Sequence, residues 1–186
     1  MVFPAAVALL VLLVLVGALL AALVWWPAGR SAASPVDHAL PFALADVRPG
    51  RPQAVLSAHP GRPIVLNFFA AWCDPCHAEV PLLADLERRE GDRLSVLGVD
   101  MQDNRDLAAQ LLAGAGVTYP AGYDPNRVVS EPWQVDGLPV TVFIAPDGTV
   151  VDYHRGQLQA GDLAHRVDSL LRRSATTVPH PAGTGA

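Results

Sequence analysis

From Ala5 to Trp26 the chain carries no charged residue and nothing more polar than glycine. A helix of that length, at about 1.5 Å per residue, would reach about 33 Å, enough to cross the hydrocarbon core of a bilayer. Trp25 and Trp26 close the run, where aromatic rings favour the headgroup boundary. Residues 1–27 therefore read as an uncleaved transmembrane anchor. A cleaved signal peptide is the alternative, with Ala32 and Ala33 near a cleavage point, but its apolar core is usually only about 7–15 residues. No cysteine follows the run to accept a lipid.

Residues 28–36, rich in Pro, Ala, Gly and Ser, read as a linker, and 37–174 as one domain. Residues 175–186 lack apolar periodicity and are expected to be a disordered tail. Within the domain, Ile64 to Phe69 is a nearly unbroken apolar run, the pattern of a strand buried on both faces. A helix is expected from about Cys73, with Pro75 in its first turn and Val80, Leu83 and Leu86 as its stripe, until Arg88 and Arg89. Leu94 to Val99 reads as a second buried strand. Leu107, Leu111 and Leu112 are expected on one face of a following helix. Val140 to Ile144 and Val150 to Tyr153 flank Pro146-Asp147-Gly148, a hairpin signal. Leu163, Val167, Leu170 and Leu171 mark a closing helix. The β-α-β-α order requires a parallel pair with a right-handed crossover, and the hairpin adds antiparallel strands. The fold class is α/β, a mixed central sheet flanked by helices.

Charge narrows the function. The formal net charge is −5 and all 13 basic residues are Arg, with no basic stripe to follow a phosphate backbone; nucleic acid is not an expected partner. Two cysteines only, three positions apart, are too few for a disulfide-stapled scaffold and point to chemistry. Trp72-Cys73-Asp74-Pro75-Cys76 sits where a buried strand gives way to a helix. There the free N–H groups and the helix dipole favour a thiolate at Cys73, and Cys76 can close a disulfide one turn on. Cys73 is the expected nucleophile and Cys76 the resolving thiol. Three other uses of the pair stay open. Cys73 to His77 matches a c-type haem attachment, with Met101 as a possible distal ligand. A zinc site would need two further ligands. An inert disulfide would close a very short loop.

Several further segments fit one known pattern. Leu66-Asn67-Phe68-Phe69-Ala70-Ala71-Trp72-Cys73, Asp74-Pro75, Glu79-Val80-Pro81, Tyr119-Pro120 with Asp124, and Val135-Asp136-Gly137-Leu138-Pro139-Val140-Thr141 together resemble the membrane-anchored TlpA/ResA/DsbE-like thiol–disulfide oxidoreductases of bacterial envelopes, which have a thioredoxin-like fold. The resemblance runs from about Pro41 to Leu171. It implies a cis Pro139 beside the cysteines, with the Leu138 backbone presented to an extended substrate. Trp72, Asp74 and Pro75 complete the implied substrate-binding set. Asn67 stands where thioredoxins keep a buried Asp six residues before the first cysteine. Glu79, at i, i+3, i+6 with Cys73 and Cys76, becomes the candidate proton acceptor. Asp74 and Glu79 would both disfavour a thiolate, making the pair an electron donor, whereas His77 would stabilise one. Val140-Thr141 stands where cytochrome-maturation members often carry Glu.

The resemblance also implies a single-pass membrane protein with its catalytic domain on the extracytoplasmic side, although Arg30, the basic residue next to the run, taken alone favours the cytoplasm. Its implied partners are disulfide-containing envelope proteins, apocytochrome c among them, and a transmembrane thiol carrier as donor. No metal and no organic cofactor is called for. The alternatives are a disulfide-forming oxidant, a thiol peroxidase of related fold, or a haem- or copper-binding carrier using both sulfurs and His77.

Overall fold

A computed structural model describes Leu15 and residues 34–177. Apart from Leu15, the expected anchor lies outside these residues, as does the end of the expected tail. Among the described residues no helix is long and apolar enough to cross a membrane. A two-stranded ribbon of β1 (Ala43–Leu44) and β2 (Ala54–Val55) precedes β3 (Ile64–Phe69), α1 (Asp74–Glu90), β4 (Ser95–Met101), α2 (Arg105–Gly114), β5 (Ala121–Asp124), β6 (Val140–Ile144), β7 (Val150–Arg155) and α3 (Ala160–Thr177). The helix α3 continues three residues past the domain end expected at Ser174.

Every residue of β3 is buried, so this strand must be covered on both faces and flanked on both edges. It takes the centre of a five-stranded sheet ordered β5-β4-β3-β6-β7. It pairs in parallel with β4, as a helical crossover demands, and antiparallel with β6. The β6–β7 hairpin forms as its Pro-Asp-Gly turn implies. This is the mixed, helix-flanked sheet expected from the periodicities. On one face Val65 and Phe69 pack with Val80 and Leu83 of α1, Ala108 and Leu112 of α2, and Leu163, Val167 and Leu170 of α3. On the other, Leu66, Phe68 and Val142 meet Val36, Leu56 and Trp133, whose ring lies 6.0 Å from that of Phe68.

Two details differ from the sequence expectation. Leu107 is 52% exposed, whereas Ala108 and Leu112 are fully buried and Leu111 is half-buried. The inward stripe of α2 runs through Ala108, whose small side chain lets the helix lie close to the sheet; counting only large residues rotates the helix the wrong way. Leu112→Ala is therefore expected to cost about 3 kcal/mol in denaturant unfolding, and Leu107→Ala under about 0.5 kcal/mol. The strand β5 was not anticipated, being four residues long and containing Gly122. A Cβ there would sit 2.6 Å from the Leu44 Cβ, so glycine is what allows β1 to lie against β5.

Candidate active site

The site lies where β3 hands over to α1. Asn67 pairs with Gly98 of β4 and with Thr141 of β6 in the register of the central strands. The chain then leaves the sheet through Ala70, Ala71 and Trp72. Cys73 is the N-cap of α1 with extended backbone, its N–H donating to Ala70 O at 3.2 Å, and Pro75 falls in the first turn, where its missing N–H has no helical partner to lose. Cys73 and Cys76 are joined in a disulfide with Cα atoms 5.3 Å apart. Both sulfur-bearing side chains belong to the helix-covered core, Cys73 being 4% exposed and Cys76 fully buried.

Around this pair the sequence candidates divide by exposure. Trp72, Asp74 and Pro75 are exposed, and Trp72, 59% exposed as a residue, donates its ring Nε1–H to Gln102 O at 3.0 Å. The Leu138–Pro139 peptide is cis; Leu138 is half-buried and Pro139 buried. Because Val140 pairs with Phe68, that peptide lies at the same end of the sheet from which Ala70 to Cys73 emerge.

Glu79 is fully buried on the inward side of α1, the side that also holds Cys76. Its carboxyl group is held from three directions. Asn67 Nδ2 donates to Oε1 at 3.1 Å, the Thr141 hydroxyl donates to the same oxygen, and the Leu158 N–H donates to Oε2 at 2.9 Å. Burial pushes the Glu79 carboxyl above its ordinary 4.5, while the Thr141 and Leu158 donors pull the other way. Burial prevails. The Glu at i+6 thus joins α1 to β3, β6 and the segment entering α3, and Asn67 serves as a donor to it.

His77 neither meets solvent alone nor reaches a sulfur in these contacts: its Nε2 lies 2.7 Å from Ala71 O. Two acids that the sequence reading passed over also lie beside the site. Asp103 accepts a hydrogen bond from the Ala71 N–H. Asp100, fully buried in β4, has no donor to either carboxyl oxygen among the described residues. Burial pushes Asp100 from 3.8 to about 9, helped by the nearby negative charges of Asp103 and Asp124. An acid inside an otherwise apolar strand was the signal for it in the sequence.

The Asp100 shift has a sign. An acid whose folded pKa is raised stays protonated in the native state while the unfolded chain ionises, so stability falls as pH rises from about 4 to about 9. Asp100→Asn, which removes the ionisation at nearly the same side-chain volume, is expected to flatten that fall and to leave the variant more stable relative to the parent at pH 8 than at pH 5. Urea unfolding at pH 5, 7 and 9 reads it; equal pH slopes for both proteins would contradict a buried, neutral Asp100.

The AhpC/TSA family pattern matches residues 36–153, which contain both cysteines, Glu79 and Pro139. The thiol:disulfide interchange protein HelX of Rhodobacter capsulatus is 31% identical over 142 residues, 76% of this chain and 73% of that protein. The chain belongs to the AhpC/TSA family, and in it to the thiol–disulfide oxidoreductases of the TlpA/ResA/DsbE type. Another TlpA/ResA/DsbE-type relative, the thiol–disulfide oxidoreductase ResA of Oceanobacillus iheyensis, is 31% identical over 104 residues; the match takes in 55% of this chain and about half, 54%, of that protein. A thiol:disulfide interchange protein of the thioredoxin family from Chlorobium tepidum shares the fold with a TM-score of 0.64 at 20% identity, over 73% of this chain and 96% of that one.

Proposed function

We propose that this oxidoreductase works as a reductant, opening disulfides in proteins outside the cytoplasm through a Cys73/Cys76 cycle. The observation that carries the reading is the buried Glu79, a carboxyl kept from ionising readily on the inward side of the helix that begins at Cys73. In the reduced chain the Cys73 thiolate attacks one sulfur of a substrate disulfide. A mixed disulfide forms, and the other substrate sulfur leaves as a thiolate and takes up a proton. Cys76 then gives its proton to Glu79 and attacks the Cys73 sulfur, and the second substrate sulfur leaves as a thiolate that takes up a proton, as Glu79 gives its own back to solvent. Two electrons pass to the substrate and Cys73–Cys76 ends oxidised, the state in which the pair is found here.

Two carboxyl groups support that direction. Asp74 in the first turn opposes the dipole that would favour a thiolate, and a Glu79 anion on the buried side of the same helix as Cys76 opposes it further. A dithiol whose thiolate is not favoured gives up its electrons more readily. Trp72, Asp74 and Pro75 on one side, and Leu138 with cis Pro139 on the other, would flank an extended substrate segment, leaving the Leu138 backbone to pair with it. A single-pass anchor in 1–27 would keep the domain at the membrane, on the extracytoplasmic side where disulfides persist. Apocytochrome c is one fitting client, and a transmembrane thiol carrier would restore the dithiol.

Equilibration of the full-length chain in defined thiol buffers tests the direction. A reduction potential near or below about −220 mV is expected of a thioredoxin-like reductant. A value near about −120 mV would make the pair a strong oxidant and reverse the assignment.

A further inference from the structure

The strand β3 ends at Phe69, so the Ala71 peptide has no sheet partner, yet both of its polar groups are bonded. Its N–H donates to the Asp103 carboxylate, and its C=O faces His77 Nε2 at 2.7 Å. An oxygen acceptor fixes the proton on that ring nitrogen, so His77 is the donor. One residue on, the Trp72 indole N–H donates to Gln102 O at 3.0 Å. Asp103 and Gln102 come from one loop at the end of β4, and His77 from the first turn of α1. The peptide two residues before the nucleophile is therefore gripped from both sides.

That loop is itself held. Gln102 has φ of 50°, an uncommon conformation for a side chain of its kind, which turns the chain sharply after β4. The Asp103 carbonyl accepts from the Tyr123 hydroxyl at 3.0 Å, and its second carboxyl oxygen accepts from the Asn104 N–H at 2.6 Å. The Asn104 side chain caps α2 by accepting from the N–H groups of Asp106 and Leu107.

We propose that Asp103 and His77 are positioning residues for the thiol exchange, clamping the Ala71 peptide so that Trp72 and the Cys73 sulfur face an incoming disulfide in a fixed arrangement. The inference rests on the exchange reading given above. It assigns no proton or electron to either residue: each acts through the backbone. An asparagine at 103 keeps the acceptor oxygen and should preserve the clamp, whereas alanine removes it. At 77, glutamine keeps an N–H donor and alanine does not.

The test follows reduction of a defined small protein disulfide by the reduced full-length chain and its variants, with folding checked by circular dichroism. Asp103→Ala and His77→Ala are each expected to lower kcat about tenfold with KM unchanged, as misplacement of a reacting atom does, and Asp103→Asn and His77→Gln to restore most of it. Folded alanine variants that turn over like the parent chain would overturn the clamp, as would conservative variants as slow as the alanines. An unmutated chain that fails to reduce the substrate would instead overturn the exchange reading, and the clamp with it. A second measurement needs no variant: amide hydrogen exchange in the unmutated chain should find the Ala71 N–H protected at least about a hundredfold, and exchange at the rate of an open peptide would contradict its bond to Asp103.

Discussion

Cys73→Ser abolishes turnover, and Cys76→Ser arrests it half-way: these are the expected results if Cys73 attacks and Cys76 resolves. A serine hydroxyl stays protonated where a thiol ionises, so loss of the nucleophile should lower the rate by at least about 10³-fold, the scale reached when a covalent nucleophile is removed. The two cysteines are not equivalent in the fold. Cys73 caps α1 at its N-terminus and retains slight exposure, while Cys76 is fully enclosed. With Cys76→Ser the first attack proceeds and nothing resolves the mixed disulfide. Non-reducing electrophoresis should then show a stable adduct of chain and substrate, reversed by added thiol. Adducts through Cys76 in the Cys73→Ser protein would invert the assignment.

Glu79→Gln carries the second large effect. The side chain volume is conserved, and an amide can still meet some of the Asn67, Thr141 and Leu158 contacts, but it cannot take a proton from Cys76. General-base catalysis of this kind is worth about 10²–10⁴-fold. The pH profile separates this from a packing defect. Burial raises the Glu79 carboxyl above 4.5, and a base works only when ionised, so the wild-type rate should climb as pH rises through that elevated value. The glutamine variant should lose that limb and remain slow throughout. A uniformly lowered profile of unchanged shape would leave Glu79 a packing residue only.

The central architecture was legible because its signals were long and regular. A six-residue buried run, a proline in a helical first turn and a Pro-Asp-Gly hairpin each have one ready structural solution. They placed β3, α1, β6 and β7, and with them Cys73 and Cys76. What escaped was set by contacts between distant segments. The strand β5 needs the close approach of Leu44 to Gly122, which no local pattern announces. Leu107 turned outward because Ala108 fills the inner position of α2. Glu79 was visible as a position on a helix face. Its three donors lie 12, 62 and 79 residues away, so the way it is held could not be read locally. The grip on Ala71 likewise depends on the β4–α2 loop returning to the end of β3, and His77 looked like any helix-surface histidine until its ring met Ala71 O.

The most direct measurement mixes the fully reduced full-length chain with an excess of a protein carrying one accessible disulfide, and counts thiols on both after quenching with acid. The expected result is one substrate disulfide opened per chain, with Cys73–Cys76 closing in step. Substrate that gains no thiols while the chain keeps both of its own would contradict the exchange on which the whole account rests.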